Sequence, residues 1–367
     1  MKTKKILYIS FENSQKYTGG ALGNKSRIAS LEEIVGANNV DTLIVKPHPT
    51  GINILSGLKK IYYILKGYMV GVDHNFICKV ITTIKDNDYD YVFIDSSLLG
   101  CLCKIIKKAT DKVKTIVFFQ NIEYDFFVSN TVDNKDYIHF FYIFNAKANE
   151  KKACKYADKV IVLNKKDSLR INELYYRPAD LIVPVTLPDN YKPTNYTKNK
   201  ETDLDNLKLL FIGSYFFGNT VGLNWFCHEI YPLIKRKTKL TIVGSDMSKF
   251  SRNIEGIKNI TIYDNVPDLS IFYENADLMI MPIRTGGGMK TKTAEALKFG
   301  KFIIGTKEAL EGYQIDSSFA ITCNTKKEFI DAIESFNNKH KYCQKAYKCF
   351  NKKYSYKASA DAIKNIL

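Results

Sequence analysis

Short unbroken apolar runs alternate along the chain with longer stretches in which apolar residues return every three or four positions. A run of four to six apolar residues suits a strand buried on both faces, as in a parallel sheet covered on either side by its crossover helices. Read this way, the first half holds strands over 6–11, 41–45, 91–95, 115–119, 159–163 and 181–183. The second half holds them over 208–212, 239–243, 260–263, 278–281, 302–305 and 319–322. Helical periodicity fills the intervals, as in 22–35 and 98–109. This alternation predicts an α/β protein with a parallel sheet in each half. A polar, unpatterned stretch beginning Pro188-Asp189-Asn190-Tyr191-Lys192-Pro193 predicts a linker over 188–206, between domains at 1–187 and 207–351. No short-period repeat or low-complexity tract is present, which argues against a solenoid.

One strand end carries chemistry. The run Leu278-Met279-Ile280-Met281-Pro282-Ile283 leads into Gly286-Gly287-Gly288-Met289-Lys290-Thr291-Lys292-Thr293-Ala294-Glu295-Ala296, a glycine loop that opens a helix and adds two ammonium groups. Glycines let the backbone approach an anion closely, the first free N–H groups of the helix point at it, and the helix dipole favours negative charge there. Doubly wound sheets bind ligands at the carboxyl ends of their strands. Glu295, about two turns into the expected helix, offers a carboxylate to ribose hydroxyls. Read alone, the same residues also fit an ordinary glycine-rich turn with solvated lysines.

Composition bounds the setting. A chain of 367 residues, 45% hydrophobic and 25% charged, is long enough for two domains with separate cores. No apolar run approaches the ~20 residues of a membrane span, and the apolar part of residues 1–9 is too short for a signal peptide, so a cytoplasmic protein is expected. The eight cysteines are scattered. Cys101 and Cys103 lie in an apolar helical pattern with no second ligand pair, and read as buried inert thiols. The net charge of +16 is spread evenly, with 27 basic and 19 acidic residues on each side of the Leu187 boundary. No nucleic-acid-binding module accompanies it, so nucleic acid is not an expected partner. A uniformly basic surface suits peripheral contact with an anionic membrane. Residues 54–68, rich in lysine, tyrosine and aliphatic side chains, fit a helix lying at lipid headgroups and equally an ordinary domain helix. His48, His74, His139, His228 and His340 are dispersed, so neither a metal nor a cofactor is expected. His228, beside Trp225 and Phe226, reads as a surface or packing residue.

A series of segments then falls in a telling order. Tyr17-Thr18-Gly19-Gly20-Ala21 reads as a glycine turn after the first strand, and Phe118-Phe119-Gln120-Asn121-Ile122-Glu123-Tyr124-Asp125 comes later. Glu150, Ala153, Ala157 and Asp158 precede Val160-Ile161-Val162-Leu163. The second half adds Leu210-Phe211-Ile212-Gly213-Ser214 with Asn219 and Trp225-Phe226, Ile242-Val243-Gly244, Val266-Pro267-Asp268-Leu269, Ala276-Asp277, the glycine loop, and Ala296-Leu297-Lys298-Phe299-Gly300-Lys301. Together these resemble the retaining glycosyltransferases of family 4, group 1 glycosyl transferases with the GT-B fold.

The resemblance implies two Rossmann-like parallel-sheet domains facing across a cleft, with a nucleotide diphosphate sugar mainly on the second and an acceptor mainly on the first. It implies Gly287, Gly288, Met289, Lys290 and Thr291 around the diphosphate, Glu295 on the ribose and Val266 near the base. Gly213, Ser214 and Gly244 join this donor side, and Gly19 and Gly20 approach it from the other domain. Gln120, Asn121 and Glu123 are expected to touch acceptor or sugar. A C-terminal helix over 352–367 is expected to pack back on the first domain.

The departures from the pattern sharpen it. Many relatives carry an acidic residue where Gly287 stands, and an arginine and a lysine where Ser214 and Asn219 stand. The positive charge for a departing diphosphate then falls to Lys290 and Lys292, with Lys290, nearest the helix start, the stronger candidate. Lys290, Lys292 and Glu295 are the expected catalytic residues. Gln120 replaces a usual histidine, which removes a titratable group there, while Glu123 and Asp125 diverge on a helix, which argues against an acid/base pair and favours structural roles near the cleft. No Asp-x-Asp pair adjoins a strand end as in metal-dependent sugar transferases, so a metal-independent enzyme is expected. The implied function is bacterial polysaccharide biosynthesis, moving a sugar onto a cell-surface glycan or lipid-linked acceptor. A non-catalytic GT-B partner in glycan assembly, or a nucleotide-sugar epimerase or phosphorylase of the same architecture, stands as the alternative.

Overall fold

The computed structural model describes residues 4–12, 19–46, 62–63, 67–69, 71–134, 140–193, 206–337 and 342–367. The chain forms two compact units, Met1–Pro184 together with Ser359–Leu367, and Val185–Ala358.

In the first unit, β1 (Ile6–Phe11), β2 (Val40–Val45), β3 (Tyr91–Ile94), β4 (Lys114–Phe119), β5 (Lys159–Val162) and β6 (Leu181–Ile182) form a parallel sheet in the order β2-β1-β3-β4-β5-β6. The helices are α1 (Gly19–Val35), α2 (His74–Lys85), α3 (Gly100–Ala109), α4 (Glu123–Asn134), α5 (Phe140–Tyr156) and α6 (Lys165–Tyr175). All four residues of β3 are buried, which is why its sequence is unbroken Tyr-Val-Phe-Ile, whereas the edge strand β2 is partly exposed and admits Asp41 and Thr42. Cys101 and Cys103 are buried in α3, where burial holds both thiols well above their ordinary pKa.

In the second unit, β7 (Leu207–Ile212), β8 (Thr238–Gly244), β9 (Ile260–Asp264), β10 (Leu278–Met281), β11 (Phe302–Gly305) and β12 (Ala320–Thr322) form a parallel sheet in the order β12-β11-β10-β7-β8-β9. Its helices are α7 (Phe217–Trp225), α8 (Ser270–Asn275), α9 (Thr291–Lys298), α10 (Lys326–Ser335) and α11 (Gln344–Lys353), and α12 (Tyr356–Lys364) follows. From β7 the chain winds one way through β8 and β9, then returns to β10 on the other side. The switch point lies between β7 and β10, where a doubly wound sheet opens a crevice at its strand ends.

One device recurs at the amino ends of both sheets. An aspartate just before a strand, or just before its neighbour, accepts a backbone N–H that the ladder leaves over. Asp90 takes Lys5 N–H at 2.7 Å, Asp158 takes Thr115 N–H at 2.8 Å, Asp180 takes Val160 N–H at 2.9 Å and Asp277 takes Lys208 N–H at 2.8 Å. The Ala-Asp pairs of the sequence therefore have a structural duty.

The predicted strands are all present, with ends displaced by about a residue. Four other expectations change. The helix after the glycine loop starts only at Thr291, because Gly286 and Gly288 have φ of +117° and +67° and stand outside helical geometry. Glu295 is consequently little more than one turn in. Gly19 and Gly20 are the first residues of α1 rather than part of a turn, and residues 13–18 lie outside the described residues. The expected helix over 352–367 is interrupted. Tyr354 and Ser355 leave the helix to pair with Leu187, whose N–H donates to Tyr354 O at 2.8 Å, and Ser355 Oγ then accepts Ala358 N–H at 3.2 Å to start α12. The beginning of the expected linker is packed rather than free: Tyr191 lies 4.4 Å from the Phe299 ring and its carbonyl accepts the Tyr347 hydroxyl at 3.0 Å. Residues 194–205, and nearly all of 54–68, lie outside the described residues. Among the described residues no helix is long and apolar enough to cross a membrane.

Candidate functional site

The rim of the second sheet, around its switch point, gathers the residues expected on the donor side. Gly213 follows β7 and Gly244 ends β8, and they touch backbone to backbone: a Cβ on Gly244 would lie 1.8 Å from Gly213 O. A Cβ on Gly213 would lie 2.8 Å from Lys292 Nζ and 2.9 Å from Asn219 Nδ2. The missing side chain thus opens the slot that the Lys292 ammonium occupies. Lys292 Nζ donates to Asn219 Oδ1 at 2.6 Å and stands 4.7 Å from the centre of the Phe211 ring. Asn219 Nδ2 in turn donates to Ser214 O at 2.9 Å, so the two positions that lack a cation hold one supplied by α9. Burial, and secondly the charge of Lys290, pull the Lys292 pKa down to about 7. The ammonium and amine forms therefore coexist near neutrality.

Lys290 behaves differently. Its ammonium turns back into the glycine loop, donating to the carbonyls of Gly286, Gly287 and Gly288 at 3.1, 3.3 and 2.8 Å, and pairs with Glu308 at 2.7 Å. The loop after β11 braces this arrangement from outside. Tyr313 donates its hydroxyl to Lys290 O at 2.8 Å, and Thr293 Oγ1 donates to Ala309 O at 2.8 Å. Met289 is buried, and Thr291 begins α9 half-buried.

Glu295 accepts the Tyr273 hydroxyl at 3.0 Å. Burial raises its pKa against the opposing pull of that hydrogen bond and of Lys298 and Lys292. Tyr273 is itself held by stacking on Phe299, with ring centres 4.5 Å apart. Beyond β9, Asn265 takes φ of +49° and donates its N–H to Gly244 O at 3.2 Å, which sets the half-buried Val266 near the end of β8. Asp264 accepts the N–H groups of Met247 and Ser248 at 3.1 and 3.2 Å and so fixes the neighbouring loop.

In the first unit the expected acceptor-side residues follow β4. Gln120 uses its amide nitrogen on Asp95 O at 2.8 Å and Asn24 Oδ1 at 3.2 Å, which leaves its amide oxygen as the group available to a ligand. Beneath it, Arg27 pairs with Asp95 at 2.5 Å and lies 4.5 Å from the centre of the Phe118 ring, while Tyr8 donates to the other Asp95 oxygen. Asn121 is half-buried at the strand end. Glu123 opens α4, and burial pushes its carboxyl up to about 7. Its N–H is taken by the buried Glu150 at 2.7 Å; burial pushes Glu150 up to about 8, against hydrogen bonds that include one from Tyr175 at 2.6 Å. Asp125 points elsewhere, into a two-pronged pair with Arg170 at 2.7 and 2.8 Å. His228 is at the surface, bound to Asn253 O at 2.6 Å. Among the described residues no three His, Cys, Asp or Glu side chains converge as metal ligands.

Residues 206–338 match the family model described as Glycosyl transferases group 1. The matched segment lies within the second unit and spans about a third of the chain. The chain as a whole superposes on solved structures at low identity. A glycosyltransferase from Rickettsia africae gives a TM-score of 0.65 at 15% identity, covering 100% of this chain and 98% of that one. HepE from Anabaena, solved in complex with UDP, gives 0.67 at 12% identity, covering 99% of each chain. These likenesses show the GT-B fold. A curated relative, an uncharacterized 44.6 kDa protein in the cps region of Klebsiella pneumoniae, is 25% identical over 241 residues, a match spanning 62% of this chain and 57% of that protein.

Within the matched segment, Tyr273 and Glu308 escaped sequence reasoning. Each is 22 or 18 positions from its partner, and neither stands in a motif. For Glu308 a faint signal exists, a carboxylate three positions after the strand that follows the loop.

Proposed function

We propose that this chain is a retaining, metal-independent glycosyltransferase that moves a sugar from a nucleotide diphosphate sugar to a cell-surface glycan or lipid-linked acceptor. The observation that carries the proposal is the meeting, at the switch point of the second sheet, of an ammonium in a glycine slot, a glycine loop opening a helix, and a carboxylate one turn further along. A diphosphate placed there meets loop N–H groups, the start of α9 and Lys292; a ribose meets Glu295; a base lies toward Val266. As the bond from the anomeric carbon to phosphate oxygen breaks, negative charge grows on that oxygen. Fixed N–H dipoles and an ammonium stabilise it without further reorganisation. Lysine then supplies the charge that a divalent ion supplies in other sites. That HepE was solved with UDP and with UDP-glucose supports a nucleotide-sugar donor. The position of the Klebsiella relative in a cps region supports a surface polysaccharide as product. Gln120, Asn121 and Glu123 are the proposed acceptor or sugar contacts. Peripheral attachment to an anionic membrane at the cytoplasmic face belongs to the same proposal.

Thermal shift against a panel of nucleotide sugars tests the reading, since a ligand that binds only the native state raises the melting temperature. A shift by one class, followed by slow release of its nucleoside diphosphate, is expected. No shift by any of them would defeat the proposal.

A further inference from the structure

Four acceptors surround the Lys290 ammonium: the carbonyls of Gly286, Gly287 and Gly288, and Glu308 Oε1. An ammonium has three protons, so this one is fully engaged inside the protein. In a trans planar peptide the N–H points opposite to the C=O. Three carbonyls gathered on one ammonium therefore send the N–H groups of Gly287, Gly288 and Met289 to the far side of the loop. Among the described residues no acceptor takes them.

We propose that Lys290 and Glu308 are a positioning pair, which locks the glycine loop with its N–H donors turned toward the diphosphate, and that Lys292 alone brings an ammonium to the phosphate. This rests on the nucleotide-sugar reading above and reverses the expectation that Lys290 is the phosphate contact. Loss of Lys290 leaves three carbonyls without their common partner in a loop that contains two left-handed glycines, the residue type with the fewest backbone restraints. Loss of the Glu308 charge releases the ammonium from its anchor, with the same consequence for the loop. The side chains are 13% and 26% exposed, so solvent screens the pair only in part.

The rival assignment, with Lys290 on the phosphate, predicts the opposite sign for one variant. Neutralising Glu308 would then free an ammonium for the ligand and remove a repelling carboxylate, so binding would tighten. The test uses the full chain as wild type, Lys290→Met, Glu308→Gln and the double variant. In the unliganded proteins each single change is expected to lower Tm by about 2–4 °C, and the double change by no more than the larger single one. Additive losses would overturn the pair. In calorimetry with UDP, both single variants are expected to weaken binding by a similar factor, on the order of threefold to tenfold, and the double variant by no more. Tighter UDP binding by Glu308→Gln, or a far larger loss in Lys290→Met than in Glu308→Gln, would place Lys290 on the phosphate and refute the proposal. If the wild type binds neither UDP nor any other nucleoside diphosphate, the nucleotide-sugar reading fails and takes the phosphate-facing half of the proposal with it. The Lys290–Glu308 lock then stands or falls on the melting data alone.

Discussion

On the proposed function, Lys292 is expected to make donor binding pH-dependent in a direction that its surroundings determine. With its pKa near 7 in the free protein, about nine-tenths of the molecules carry the ammonium at pH 6 and about one-tenth at pH 8. A bound diphosphate stabilises the ammonium and raises that pKa, so binding is strongest below pH 7 and weakens as pH rises through it. If the ammonium form binds about tenfold better than the amine form, affinity falls about fivefold from pH 6 to pH 8, or ~1 kcal/mol. A nucleotide sugar such as UDP-glucose is the right probe, because its diphosphate has no ionisation in this window, unlike the terminal phosphate of UDP. Calorimetry at pH 7.5 in buffers of different ionisation heat should report uptake of about half a proton per ligand. Lys292→Met should remove both the uptake and the pH slope. In the unliganded protein the linkage runs the other way: between about pH 7 and the ordinary lysine pKa the unfolded chain holds more protons at this site than the folded one, so this group makes stability rise with pH. Binding that is flat from pH 6 to 8, or that strengthens, with no proton uptake, would refute the reasoning.

Other outcomes follow from the same geometry. Glu295→Ala should weaken nucleotide-sugar binding by ~1.5–3 kcal/mol in a folded protein, and unchanged affinity by calorimetry would remove Glu295 from the site. Gly244→Ala should destabilise the second unit by about 1–3 kcal/mol, because its Cβ meets the rigid Gly213 carbonyl. Gly213→Ala should keep the melting temperature but cut turnover, since its Cβ meets the movable Lys292 ammonium; the reverse pattern in thermal melts and rates would contradict this account of the rim. Transfer should persist in excess EDTA, and loss of turnover restored by magnesium or manganese would refute the metal-independent reading.

Much of the fold was legible in the sequence because burial on both faces makes parallel strands into unbroken apolar runs, as in Tyr91–Ile94 and Leu278–Met281. The glycine loop was legible for a related reason: Gly286 and Gly288 adopt left-handed backbone that other residues resist, so their position advertises the turn. What escaped were the partners that tune the charged groups. Lys292 meets Asn219 across 73 positions because β10 lies beside β7, and that adjacency is a property of the sheet order rather than of any local pattern. Knowing that Asn219 stood where relatives place a cation was not enough to see that it holds one. The partner of Lys290 escaped for the same reason, since proximity to the helix start says nothing about a carboxylate that arrives after β11. The break at Tyr354 and Ser355 follows from pairing with Leu187, 168 positions from Ser355, and only the hydroxyl of Ser355 as a helix starter hinted at it.

The central claim is that the ammonium seated over Gly213 stabilises the departing diphosphate. It is tested most directly by measuring donor turnover and donor affinity side by side for the wild type and Lys292→Met, at pH 6.5, with the nucleotide sugar that the thermal panel selects. The account predicts that turnover falls by at least ~100-fold, the lower end of what one such donor contributes, while affinity falls by no more than ~10-fold, since the interaction is stronger in the transition state than in the bound donor. Near-normal turnover in Lys292→Met, or turnover that declines only in step with affinity, would contradict it.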